Sequence, residues 1–320
     1  GLMELREEIR KYLIRKLDVE YDPKKEMIIT VGGSEGIDIA MRAMLDRDDE
    51  VLIPQPSYVS YEPCTILAGG KPVIIELKAE DGFKLKASQI LEKVTDKTKI
   101  LILPFPNNPT GSILNMDELR EIAKVCIEKD LYVISDEIYC ELTYEGEHTS
   151  IVQIEGMKER TVLINGFSKS YAMTGWRLGY ATGPKEIISQ MTKIHQYAIM
   201  CAPTTSQYAA VEALAHGDAD VARMRESYNQ RRRYLLHRFE ELGMTCFEPQ
   251  GAFYVFPSIK RFGMSSEEFA TRLLEEQKIA IVPGTAFGEC GEGYVRVSYA
   301  YSMERLKEAL SRIEKFVRSL

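Results

Sequence analysis

The chain has 320 residues, 45% of them hydrophobic, which is enough for a large core and for about two domains. Its 41 basic and 48 acidic side chains leave a formal net charge of -7, which argues against a nucleic-acid backbone or an anionic membrane surface as partner. No apolar run is long enough to span a bilayer, and no signal peptide is visible. The six cysteines and four histidines lie too far apart for a metal site or a disulfide framework, which fits a reduced, cytoplasmic setting.

The chain opens directly in a helical pattern at residues 2–16, whose apolar Leu5, Ile9, Tyr12 and Leu13 need a partner surface. Thr30-Val-Gly-Gly-Ser34-Glu35 precedes a helix pattern at 37–45. Residues 51–54 and 73–77 read as strands, the first followed by Pro56-Ser-Tyr58-Val-Ser-Tyr61. A strand at 99–104 runs into the turn signal Pro106-Asn-Asn108-Pro-Thr-Gly111. Asn115 and Glu118 read as a capping box for a helix at 118–129. Strands at 131–135, 161–165 and 177–181 follow. This alternation predicts an α/β fold with a large, mostly parallel sheet between helices, over residues 1–238. Helical patterns dominate from Pro184 through the charged stretch 218–242. Short strands at 253–256, 279–282 and 294–299, with helices at 267–277 and 303–317, predict a smaller α+β domain over 239–320. The boundary falls inside a long helix near Arg238.

Several of these strands end in residues with chemistry to offer. Residues 161–165 lead to Gly166-Phe-Ser-Lys169, and a lysine at the ligand-binding edge of an α/β sheet becomes nucleophilic when burial lowers its pKa. Arg177, eight residues on, can grip a phosphate with two parallel hydrogen bonds. The blander reading is a surface lysine and a structural arginine. Residues 131–135 run straight into Asp136, either a carboxylate facing a cationic ligand or a cap for the next turn. Glycines before the 37–45 helix free backbone N–H groups that suit an anion. Gly293-Tyr-Val-Arg296-Val-Ser-Tyr299 alternates like a strand, with an arginine fork that matches a carboxylate.

Gly166-Phe-Ser-Lys169, Ala172-Met and Gly175-Trp-Arg177-Leu-Gly179 together resemble the cofactor-attachment motif of the class I, aspartate aminotransferase-like enzymes of fold type I, which depend on pyridoxal 5'-phosphate (PLP). The resemblance covers the chain in the right order. It implies that Lys169 carries PLP as a Schiff base and shuttles the substrate proton. Asp136 would face the pyridine nitrogen, and Tyr139 and Asn108 the phenolic oxygen. Tyr58 would stack on the ring. Gly33, Ser34, the backbone of Glu35, Ser168 and Arg177 would hold the phosphate, and Arg296 would take the substrate carboxylate. A carboxylate beside a phosphate is unfavourable, so Glu35 is expected to turn its side chain outward. Gln250-Gly-Ala-Phe-Tyr254 matches the family's small-domain strand.

The activity implied is transfer of an amino group from an L-amino acid to a 2-oxo acid, 2-oxoglutarate being the favoured acceptor, through a PLP/pyridoxamine phosphate ping-pong cycle in a homodimer. Relatives carry a further segment ahead of residue 1, with a tyrosine that reaches the neighbouring subunit's phosphate. The alternatives are a β C–S lyase on the same scaffold, which begins with the same proton removal, and a PLP-sensing regulatory domain, which needs a DNA-binding helix-turn-helix.

Overall fold

The computed structural model describes residues 1–320. In chain order the elements are α1 (Met3–Leu17), β1 (Met27–Thr30), α2 (Gly33–Met44), β2 (Glu50–Gln55), α3 (Tyr61–Leu67), β3 (Lys71–Glu76), α4 (Ala87–Lys93), β4 (Thr98–Leu103), α5 (Met116–Glu128), β5 (Tyr132–Asp136), β6 (Thr161–Gly166), α6 (Phe167–Ser170) and β7 (Gly179–Thr182). They continue with α7 (Lys185–Ala198), α8 (Thr204–His216), α9 (Asp218–Glu241), β8 (Tyr254–Val255), α10 (Ser266–Gln277), β9 (Val282–Pro283), β10 (Val295–Ser298) and α11 (Met303–Val317).

Seven strands form one sheet in the order β1-β7-β6-β5-β4-β2-β3. β2 to β6 pair in parallel, and β7 runs antiparallel to both of its neighbours. Strand alternation sorts the apolar side chains into two cores. Leu101, Leu103, Val133 and Leu163 point to the face covered by α1, α4, α5 and α8. Ile100, Ile102, Ile134, Val162 and Ile164 point to the face covered by α2 and α7. A sheet buried on both faces explains why its strands read as nearly continuous apolar runs. A third core lies between the small sheet β8-β10-β9 and α9, α10 and α11, and it includes Leu235, Phe239, Phe269 and Phe316.

The apolar face of α1 finds its partner within the chain. Leu5, Ile9 and Leu13 are fully buried in the core that α8 shares, and the Tyr12 hydroxyl donates to Glu141 Oε1 at 2.7 Å. The capping box at Asn115 and Glu118 forms as the sequence indicates. Two strand readings need correction. Residues 177 and 178 precede β7, because Arg177 sits at φ 52°, in the left-handed region. Of residues 279–282 only Val282 enters a strand.

Candidate active site

Every parallel strand of the sheet delivers its next residues to one edge. β4 ends before Asn108, β5 ends on Asp136, β6 is followed by Lys169 in α6, β2 by Tyr58, and β1 by the glycines that open α2. Because β7 runs the other way, it is the residues before it that reach this edge, and these include Arg177. Arg296, on β10 of the small sheet, faces the same space. The result is a cavity of about 250 Å³. Gly33, Ser34, Tyr58, Asn108, Asp136, Tyr139, Ser168, Lys169, Arg177 and Arg296 all line it, as do Tyr61, Thr174 and Tyr254.

At one end the backbone is drawn very close to Arg177. A Cβ on Gly32, whose φ is +80°, would lie 2.8 Å from Arg177 Nη2. Gly179 is equally constrained, since its Cβ would meet the Gly32 backbone carbon at 2.6 Å. Glycine at both positions lets the first turn of α2 and the guanidinium converge on one point, with Ser34 beside them. This arrangement suits an anion.

In the middle lie Lys169 and Asp136. Lys169 is half-buried and has no carboxylate partner, and its Nζ lies 5.4 Å from the Phe253 ring centroid and 5.8 Å from that of Tyr139. Burial lowers its pKa, and the positive charges of Arg296 and Arg177 lower it further. Asp136 is 7% exposed; Oδ2 accepts from the Tyr61 hydroxyl at 2.7 Å and Oδ1 from the Ile138 N–H at 3.2 Å. Burial raises its pKa, while the Tyr61 hydrogen bond pulls it down.

At the far end Arg296 lies over the Tyr254 ring, 4.3 Å from its centroid, with Phe287 at 4.8 Å. Nη1 donates to Asn108 Oδ1 at 2.9 Å, and the buried Nε has no partner. The turn that carries Asn108 is held by its neighbour Asn107, whose Oδ1 accepts from the backbone and hydroxyl of Thr110. The Tyr139 and Tyr254 hydroxyls are 3.0 Å apart. Burial holds the Tyr139 phenol well above its usual pKa.

The site therefore holds three cations without acidic partners and one deeply buried carboxylate. That set fits a ligand with a phosphate at one end, a basic ring nitrogen over Asp136, and a carboxylate at Arg296. It fits PLP with an amino acid.

Residues 1–313 match the family described as Aminotransferase class I and II. The chain belongs to the class I and II aminotransferases. It is 51% identical over 317 residues to the putative aminotransferase YugH of Bacillus subtilis (strain 168), a match spanning 99% of this chain and 82% of that one. It is 47% identical over 321 residues to the aspartate aminotransferase of Pyrococcus abyssi, across 99% and 82% of the two chains. Among solved structures, the aromatic aminotransferase from Pyrococcus horikoshii OT3 superposes with a TM-score of 0.98 at 45% identity, covering all of this chain and 86% of that chain. The aminotransferase is thus a PLP-dependent enzyme of fold type I that transfers amino groups. No helix is long and apolar enough to cross a membrane.

Glu35 departs from expectation. Its side chain is not turned outward but folds back under the loop, where Oε2 accepts from the Val31 N–H and Oε1 meets His195 Nδ1 at 2.6 Å. Glu35 does not line the aminotransferase cavity. Two residues that do, Tyr61 and Tyr254, receive no role from the sequence. Their motifs, Pro56–Tyr61 and Gln250–Tyr254, are the available signal.

Proposed function

We propose that this aminotransferase takes an amino group from aspartate or a broad set of L-amino acids and passes it to 2-oxoglutarate, in the cytoplasm, as a homodimer. The observation that carries the assignment of roles is the half-buried, ion-unpaired Lys169 among Asp136, Arg177 and Arg296. The relatives named as aspartate and aromatic aminotransferases support the substrate class.

When bound, PLP supplies the electron sink for the substrate's Cα carbanion. Asp136 holds the proton at the ring nitrogen that makes this sink effective, and the Tyr61 hydrogen bond favours the ionised carboxylate and aims it. Lys169, with its lowered pKa, is the amine that attaches PLP and then carries the proton at the substrate Cα. Asn108 accepts from Arg296 on Oδ1, which leaves Nδ2 free to donate to the phenolic oxygen of PLP, where Tyr139 would be the second donor. Tyr58 would cover the ring face. Gly33, Ser34, the Glu35 N–H, Ser168 and Arg177 hold the phosphate. Arg296 pairs with the α-carboxylate through its free donors. Residues 1–238 form the PLP-binding domain and 239–320 the small domain that brings in Arg296.

An exposed apolar segment at the end of α7 supports the homodimer. Tyr197, Ile199 and Met200 are 93%, 45% and 79% exposed. Large apolar side chains left in water within four residues are candidates for a contact site. A panel of half-reactions tests the function. Each amino acid is mixed with PLP-loaded protein without an acceptor, and the visible band and released oxo acid are followed. Loss of the band with one equivalent of 2-oxo acid per site is expected. Continuous release of pyruvate and ammonia would indicate a lyase instead.

A further inference from the structure

We propose that Glu35 and His195 form a hydrogen-bonded clamp that shapes the phosphate-binding turn, with His195 as the positioning residue that makes a buried acidic side chain tolerable there. The inference rests on the reading that the cofactor phosphate sits at the start of α2.

Glu35 occupies the first turn of α2, within reach of the end where Gly33, Ser34 and Arg177 converge. A free carboxylate at this place would repel a phosphate, and burying it unpaired would be costly. The structure answers the first by folding the side chain away from the cavity and the second by pairing it with one residue from another helix. His195, on α7 and 5% exposed, directs Nδ1 at Glu35 Oε1. The second oxygen, Oε2, accepts the N–H of Val31. That residue opens the Val31-Gly32-Gly33 turn, in which Gly32 takes a left-handed φ of +80° against Arg177. Glu35 therefore pins the turn, and His195 holds Glu35 in place by occupying its other carboxylate oxygen. α7 packs along α2, so the imidazole is delivered by the helix pair itself. Neither side chain enters the cavity, and both act through the backbone that does.

The test compares His195→Leu with His195→Leu/Glu35→Gln in this chain. PLP binding is followed by its absorbance, and inorganic phosphate binding by protection of the cofactor-free chain against heat. His195→Leu is expected to weaken PLP and phosphate about ten-fold or more, because it leaves a buried carboxylate oxygen without a hydrogen-bond partner beside the anion. The double variant is expected to recover to within about three-fold of wild type, since the amide oxygen introduced by Glu35→Gln still accepts from Val31 without carrying charge. A packing role alone would give no such rescue. If His195→Leu does not fold, His195→Met removes the hydrogen bond with less change in shape and is paired with Glu35→Gln in the same way. Unchanged affinity in the single variant, or a double variant no better than the single, overturns the proposal. Arg177→Ala is run in parallel. If it too leaves both affinities unchanged, the phosphate assignment itself fails; if it weakens both while His195→Leu weakens neither, only the clamp fails.

Discussion

The Tyr61 hydroxyl donates to Asp136 Oδ2 at 2.7 Å, and both groups are buried where β5 ends. Burial raises the Asp136 pKa and the phenol opposes that rise. Removing the phenol in Tyr61→Phe is expected to lower kcat by about ten-fold, the worth of a hydrogen bond to a charged group. Asp136→Asn, which removes the charge, is expected to cost several orders of magnitude while PLP still binds. Steady-state kinetics with matched PLP titrations check both. Near wild-type turnover in Asp136→Asn contradicts the role given to that carboxylate.

The same carboxylate sets a stability trend. Because burial raises its pKa in the folded chain above the ordinary 3.8, the unfolded chain releases this proton first as pH rises. Stability from this group is therefore fully present below pH 3.8 and is lost as pH climbs through the raised value. At pH 7 the cofactor-free Asp136→Asn protein is expected to melt about 2 °C above wild type. The advantage shrinks as pH falls toward 3.8. Thermal unfolding across pH measures it, and a less stable variant at pH 7 refutes the trend.

Tyr254 separates two duties. Its hydroxyl meets Tyr139 at 3.0 Å, and its ring lies under Arg296 at 4.3 Å. Tyr254→Phe keeps the ring and is expected to lower kcat by about five-fold, with KM for the amino acid unchanged. Tyr254→Ala removes the ring as well and is expected to raise KM by about five-fold, the scale of a cation–π contact. Equal KM values for the two variants would show that the ring does not support Arg296.

The larger fold is legible in the sequence because its sheet is buried on both faces. Ile100 to Leu103 alternate between two cores, so the strand reads as an unbroken apolar run. Most of the cavity-lining candidates are legible because they end or follow a strand or open a helix, while Arg177 precedes β7 and Arg296 lies within β10. What stays hidden is contact between distant segments. Tyr61 and Asp136 are 75 residues apart, Tyr139 and Tyr254 are 115 apart, and Glu35 and His195 are 160 apart. Nothing near Glu35 in sequence offers a base, so local chemistry alone points its side chain outward. The short strand β1 escapes the apolar pattern because Met27–Thr30 is only four residues long and leads straight into the glycine turn.

The attachment of PLP to Lys169 is the claim on which the rest depends. The measurement is borohydride reduction of the PLP-loaded chain, followed by peptide mapping by mass spectrometry. One phosphopyridoxyl group per chain is expected, on the peptide containing Lys169, and Lys169→Ala is expected to lose both the adduct and the visible band. An adduct centred on a different lysine, or a Lys169→Ala protein that keeps the wild-type band, would contradict the account.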